Sequence, residues 1–181
     1  MPVDSKLHGT NVIVRPARLV RGVVRIPGDK SISHRYAMLA AIAEGTSRFQ
    51  NFSAALDCAS TLDCVAKLGC EWKRVKDDDG DGAIEVRGVG PRLNAPTQVL
   101  DCGNSGSTMR MLGGILAGQP FTSELCGDES LSRRPMARIM TPLSEMGARI
   151  EAAEGGRPPL KIHGGPLKPI HYRPEVASAQ V

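Results

Sequence analysis

Apolar and polar positions along this 181-residue chain change period several times. Val20 to Ile26 is rich in β-branched residues and predicts a strand, Ser33 to Ala43 carries apolar residues at helical spacing and stops at Gly45, and Thr46 to Phe52 returns to a strand pattern. Asp57 is placed to cap a helix over Cys58 to Leu68, with Gly69 as its stop. Cys70 to Val75 and Ala83 to Val86 then predict a hairpin across the run DDDGDG. The order is βαβαββ.

The same order returns further along. Gln98 to Leu100 predicts a strand, Ser105 to Ala117 a helix ending at Gly118, and Phe121 to Leu125 a strand. Pro135, suited to a first helical position, opens a helix to Met146 with Gly147 as its stop, and Arg149 to Glu151 and Leu160 to His163 predict a closing hairpin. Gly45 corresponds to Gly118, and Gly69 to Gly147. The pattern predicts an α/β fold of repeated βαβαββ units: a segment over 1–19, a first unit over 20–95, a second over 96–172, and the start of a third over 173–181.

Three short polar loops mark the period. Lys30-Ser31 in PGDKSISHR, Asn104-Ser105-Gly106 in DCGNSGSTMR and Ser178-Ala179-Gln180 each stand where a helix would open, and Lys30, Asn104 and Ser178 are 74 residues apart. Helix N-termini offer free N–H groups and the positive end of the helix dipole, so loops of this kind suit a phosphorylated or carboxylated ligand. The third unit begins after Pro174 and stops within its first helix, where a single turn cannot bury an apolar face. The expectation is a piece of a longer chain; a tail that merely matches the period is the alternative.

Composition narrows the function classes. Hydrophobic residues make up 41% and charged residues 23%, which describes a globular chain rather than a disordered one. The net charge of +4 suits an acidic small molecule. Basic residues are scattered and aromatics amount to only 3%, which argues against a nucleic-acid stacking platform. No apolar run approaches membrane-spanning length and no signal-peptide core opens the chain, so a soluble, cytoplasmic protein is expected. Five cysteines without a C-x-x-C pair indicate neither a disulfide framework nor a zinc site and read as small buried hydrophobes; the four histidines are too dispersed to argue a metal.

Each loop carries recognisable chemistry. In PGDKSISHR, Lys30 is a mobile point charge, Ser31 and Ser33 are donors, and Arg35, one turn beyond Ser31, can fork onto the same anion; a capped helix with solvated charges is the plainer reading. A Walker A loop is excluded, because Asp29 stands directly before Lys30, where that motif needs a glycine. In GNSGS, Gly103 and Gly106 let the backbone approach a ligand and Asn104 adds an amide, although such turns are often only turns. In GDESLSRRPM, one guanidinium of Arg133-Arg134 could reach over the adjacent site, or both could be solvated.

Together PGDKSISHR (27–35), LDCGNSGSTMR (100–110), GDESLSRRPM (127–136) and ASAQV (177–181) resemble the EPSP synthase family, the 3-phosphoshikimate 1-carboxyvinyltransferases, over its N-terminal portion from Val20 to Val181. The Lys-Ser-x-Ser-x-Arg pattern also separates the chain from the related UDP-N-acetylglucosamine enolpyruvyl transferases, which would have Asn after the Lys. The resemblance implies a reaction without a cofactor, in which the 5-hydroxyl of shikimate 3-phosphate attacks phosphoenolpyruvate and phosphate leaves to give the enolpyruvyl ether, on the route to chorismate and aromatic amino acids. It implies that Lys30, Ser31, Arg35, Ser178, Ala179 and Gln180 hold shikimate 3-phosphate, and that Lys30, Asn104, Gly106, Arg134 and Gln180 face phosphoenolpyruvate. It further implies two domains that close over the substrates, a strand near Asn11 to Val14 belonging to the other domain, and acid/base groups in a C-terminal half needed for activity, without which the isolated chain is expected to be inactive. Ser107, Thr108, Met111 and Ala179 depart from the form common in the family. An enolpyruvyl transferase with another acceptor and a non-catalytic phosphate-ester-binding module are the rival readings.

Overall fold

The computed structural model describes residues 16–76 and 82–174. Twelve elements follow one another in this stretch: α1 (Lys30–Ala41), β1 (Glu44–Gln50), α2 (Leu56–Lys67), β2 (Glu71–Val75), β3 (Ala83–Val89), β4 (Leu100–Asp101), α3 (Gly106–Ala117), β5 (Thr122–Cys126), α4 (Glu129–Ser132), α5 (Ala137–Glu145), β6 (Arg149–Ala153) and β7 (Arg157–His163). They form an α/β fold with two sheets, ordered β1-β3-β2 and β4-β5-β7-β6. In the first, β3 pairs antiparallel with both neighbours; in the second, β4 runs parallel to β5 while β7 pairs antiparallel with β5 and β6.

Alternation explains the sheets. Along β7, Pro158, Leu160 and Ile162 are buried and the residues between them face outward, as expected for a strand with one packed face. The larger core gathers Leu100, Met109, Leu112, Leu116, Leu125, Leu131, Leu160 and Ile162 with Met38, Val65 and Leu68 from the first half, so the helices are shared ground between the sheets. A smaller cluster of Ala37, Ala40, Leu62, Ile84 and Val86 lies between α1, α2 and the first sheet. Cys58, Cys64, Cys70 and Cys102 are buried thiols, and burial raises the pKa of Cys58, Cys70 and Cys126; that of Cys102 is raised by its hydrogen bond with Cys64 and then by burial. Among the described residues no helix is long and apolar enough to cross a membrane.

Several expectations need correction. The β-branched run over 20–26 joins no ladder among the described residues and leaves Val20, Val23, Val24 and Ile26 exposed. β-branched residues favour extended backbone, but a strand exists only where a neighbour pairs with it. Asp57 does not cap α2: the N-cap is Ala55, and Asp57 sits in the first turn. The helix expected from Pro135 begins two residues later at Ala137, because Met136 occupies the cap, and a short helix, α4, precedes it unforeseen. The strand expected near Asn11 to Val14 and the loop expected at Ser178 to Gln180 lie outside the described residues.

Candidate functional site

α1 starts at Lys30 because Asp29 caps it. Its carboxylate accepts from Ile32 N at 2.7 Å, and Ser33 Oγ donates to the Asp29 carbonyl at 2.8 Å while accepting from Ser53 N at 3.0 Å. The cap fixes the first turn against the loop after β1 and leaves Lys30 and Ser31 at its exposed end. Lys30 forms an ion pair with Asp57 in the first turn of α2. Arg35 Nη1 donates to the Ser31 carbonyl at 3.0 Å, which brings together the pair that the sequence placed one turn apart.

The loop before α3 is held from below and from the side. Ser105 caps the helix, its hydroxyl accepting from Thr108 N at 3.1 Å. Gly103 takes φ +54°, the left-handed conformation that glycine tolerates, and its N–H donates to Asp101 Oδ1 at 2.8 Å. Asn104 is spanned by two partners. Its amide donates to Asp128 Oδ2 at 2.7 Å, and its side-chain oxygen accepts from Arg134 Nη2 at 2.7 Å. Arg134 also donates to the Asn104 carbonyl at 3.3 Å and to Ser130 Oγ at 3.1 Å. The neighbouring Arg133 turns the other way, onto Glu129, so the tandem arginines have separate tasks.

Arg110 and Arg134 converge on Gly106. A Cβ there would lie 2.7 Å from Arg110 Nη1 and 3.5 Å from Arg134 Nη1. Burial, together with the positive charge of Arg138 and Arg134, lowers the pKa of Arg110, and its buried Nε has no hydrogen-bond partner among the described residues. Positive potential is therefore concentrated at the N-terminus of α3, where the helix dipole adds to it. Asp128 serves the same corner: hydrogen bonds from Asn104 and the Leu131 backbone hold its pKa below the ordinary carboxylate value, and it caps α4.

The two loops meet through α2. The Asp57 carbonyl lies 3.4 Å from both Thr61 Oγ1 and Thr108 Oγ1, so the openings of α1, α2 and α3 stand at one end of the helical layer. His34, fully buried on α1, joins them with Nδ1 2.7 Å from Thr61 Oγ1. Burial first, then the charges of Lys30 and Arg35 against the opposing effect of Asp57, lowers its pKa, which keeps the ring neutral near pH 7.

The structure thus groups Lys30, Ser31 and Arg35 at one helix N-terminus and Asn104, Gly106 and Arg134 at another; Ser178, Ala179 and Gln180 lie outside the described residues. Sequence reasoning missed Asp57, Arg110 and Asp128. For Asp128 a signal existed, since an Asp three residues before Leu131 with Glu129 between them is an N-cap pattern. Arg110 lies four residues past Gly106, on the same helix face, but only α5 and the arginines before it give that face its meaning.

Residues 14–181 match the family model of EPSP synthase (3-phosphoshikimate 1-carboxyvinyltransferase). The chain is similar to the 3-phosphoshikimate 1-carboxyvinyltransferase of Koribacter versatilis, 58% identical over 171 residues that are 94% of this chain and 39% of the relative. It is 54% identical to that of Solibacter usitatus over 168 residues, 93% of this chain and 38% of the relative. The solved EPSP synthase of Acinetobacter baumannii superposes with a TM-score of 0.80 at 44% identity, covering 88% of this chain and 36% of that one. The chain therefore spans well under half the length of the relatives it matches.

Proposed function

The chain belongs to the EPSP synthase family, and on that premise we propose that it supplies the N-terminal part of an enzyme that transfers the enolpyruvyl group of phosphoenolpyruvate to the 5-hydroxyl of shikimate 3-phosphate. The observation that supports this most directly is the convergence of Arg110 and Arg134 on Gly106 at the opening of α3, beside the Asn104 amide. A dianionic ligand needs a positive, preorganised set of donors at one point, and this corner provides it.

Lys30, Ser31 and Arg35 hold shikimate 3-phosphate in this proposal, together with Ser178, Ala179 and Gln180 of the third unit. Phosphoenolpyruvate lies against the Gly106 backbone, Asn104 and Arg134, with Lys30 and Gln180 between the substrates. The 5-hydroxyl gives up its proton as its oxygen bonds to C2 of phosphoenolpyruvate and C3 takes up a proton; the tetrahedral adduct then loses one proton of the new methyl group together with the phosphate, leaving the enolpyruvyl ether. Lys30 leaves the Asp57 carboxylate for the incoming anion, and the dipoles of α1 and α3 stabilise the charge that grows on the departing phosphate. The acid/base groups belong to the remaining length of the enzyme.

We place repeat units over 20–95 and 96–172, with a third opening at 173–181. One helix face supports the need for further chain: Ile32, Tyr36 and Leu39 form an exposed apolar stripe on α1, and Leu19, Val20, Val23, Val24 and Ile26 are exposed as well. The remaining units cover this stripe.

Phosphate release from phosphoenolpyruvate in the presence of shikimate 3-phosphate tests the proposal, with the chain alone and mixed with a polypeptide supplying the rest of a relative. Turnover confined to the mixture, and lost with Lys30→Ala, is the expected result. Silence in a mixture that demonstrably assembles, with intact family enzyme as positive control, would refute it and leave a different acceptor or a purely binding role.

A further inference from the structure

Four side chains from three helices form one buried line. His34 Nδ1 is 2.7 Å from Thr61 Oγ1, Thr61 Oγ1 is 2.7 Å from Thr108 Oγ1, and Thr108 Oγ1 donates to Ser105 Oγ at 2.8 Å. All four residues are buried. The line starts one turn into α1 and ends on the N-cap of α3, so it joins the two helix openings that the proposed function assigns to different substrates.

Proton counting gives the line a direction. Each hydroxyl has a single hydrogen. The Thr61 and Thr108 hydroxyls each also face the Asp57 carbonyl, at 3.4 Å, but the shorter contacts of 2.7 and 2.8 Å take the hydrogens, so Thr108 gives its own to Ser105 and Thr61 donates to Thr108. Thr61 then has nothing left for His34, and the ring must supply the proton from Nδ1. This leaves Nε2 as the bare nitrogen, and Nε2 is indeed buried without a hydrogen-bond partner among the described residues. The opposite tautomer would bury an unsatisfied N–H at Nε2 and set two lone pairs against each other at Nδ1, a costlier arrangement than an unpaired acceptor.

We propose that His34, Thr61, Thr108 and Ser105 form a directional hydrogen-bond relay, with His34 as its Nδ1–H tautomer, that sets the position of the α3 opening relative to the α1 opening. These are positioning residues: none need touch a substrate. The functional part of the inference rests on the proposed function, because it assigns anions to those two openings. The relay itself does not. Thr108 links Ser105 to Thr61 and lies against the Asp57 carbonyl as well, so removing its hydroxyl releases the cap from both other helices.

The first test needs no substitution. Nitrogen-15 spectra of the imidazole in the unaltered chain should show a pyrrole-type Nδ1 and a pyridine-type Nε2 for His34; the reverse assignment would overturn the relay. Thr108→Val keeps the branched shape and removes the hydroxyl. It should shift the Nδ1 resonance of His34, which it does not touch, and the Ser31 amide resonance on α1, whereas Thr108→Ser should restore both. Unmoved signals in a folded Thr108→Val chain would overturn the proposal. Should that variant not fold, Thr61→Val reads the same line from its middle, and the tautomer of the unaltered chain decides by itself. Phosphoenolpyruvate titrated against the same samples, each mixed with the remainder of a relative, should bind the Thr108→Val mixture about tenfold more weakly and the Thr108→Ser mixture as the unaltered one does. Absence of binding to an unaltered mixture that assembles would count against the functional reading, while the ring signals still decide the relay.

Discussion

Arg134 reaches from the turn after α4 to grip Asn104 twice, with Nη2 2.7 Å from the side-chain oxygen and Nη1 3.3 Å from the carbonyl. The guanidinium is thereby oriented before any ligand arrives, and the loop that opens α3 is held by the same contact. Replacing Arg134 with Ala should lower phosphate release in the complemented enzyme by about 10²- to 10³-fold, the range seen when one preorganised donor to a developing charge is removed. Lys should not restore it, since a point charge cannot hold both Asn104 oxygens. Phosphate release together with the thermal melt of the chain checks this; a melt that collapses with the activity would make Arg134 a structural residue only.

Asp29 is the cap on which the α1 opening depends. Asp29→Ala removes the acceptor for the Ile32 N–H and should destabilise the chain by about 1 kcal/mol. The melting temperature should fall by about 2–4 °C. Asp29→Asn, which keeps an acceptor oxygen, should lose much less, and calorimetry on the three chains distinguishes the outcomes.

His34 makes stability depend on pH in a stated direction. The folded ring has a pKa below its ordinary value of 6.5, through burial and the charges of Lys30 and Arg35, so the unfolded chain binds the proton more readily. The contribution is present in full above about pH 6.5 and is lost as pH falls from there toward the folded pKa. His34→Gln should flatten that part of the stability curve. Denaturant midpoints between pH 5 and pH 8 measure it, and an unchanged slope would mean that the folded ring titrates normally.

Leu39 tests what covers α1. It is 58% exposed, so Leu39→Lys should leave the melt of the chain nearly unchanged. The same substitution buries a charge if further units pack on the stripe, and complementation by the remainder of a relative should then drop at least tenfold. Equal complementation would place those units elsewhere.

Much of this was legible from local signals. The glycine stops at Gly69, Gly118 and Gly147 fall at or immediately after the ends of α2, α3 and α5, because a helix end is decided within a turn or two of chain. The first motif was legible for the same reason: Asp29 through Arg35 occupy consecutive turns of one helix, and the contact of Arg35 with Ser31 is an i, i+4 relation. The run over 20–26 failed in the complementary way. Its residues favour extended backbone, but strand formation is a property of two segments, and the pattern of one cannot report its partner.

What the sequence determined by itself was the α/β class and the residue types at each helix opening, since these follow from periodicity and capping over a few neighbouring positions. Only the tertiary structure decided which openings face one another. Asp57 became the partner of Lys30 instead of a cap, Arg134 was separated from Arg133, and His34, Thr61 and Thr108 met across gaps of 27 and 47 residues. The reason is physical: such contacts depend on how three helices pack on their sheets, and a side chain's partner at that distance is chosen by the core that places it, not by its own stretch of chain.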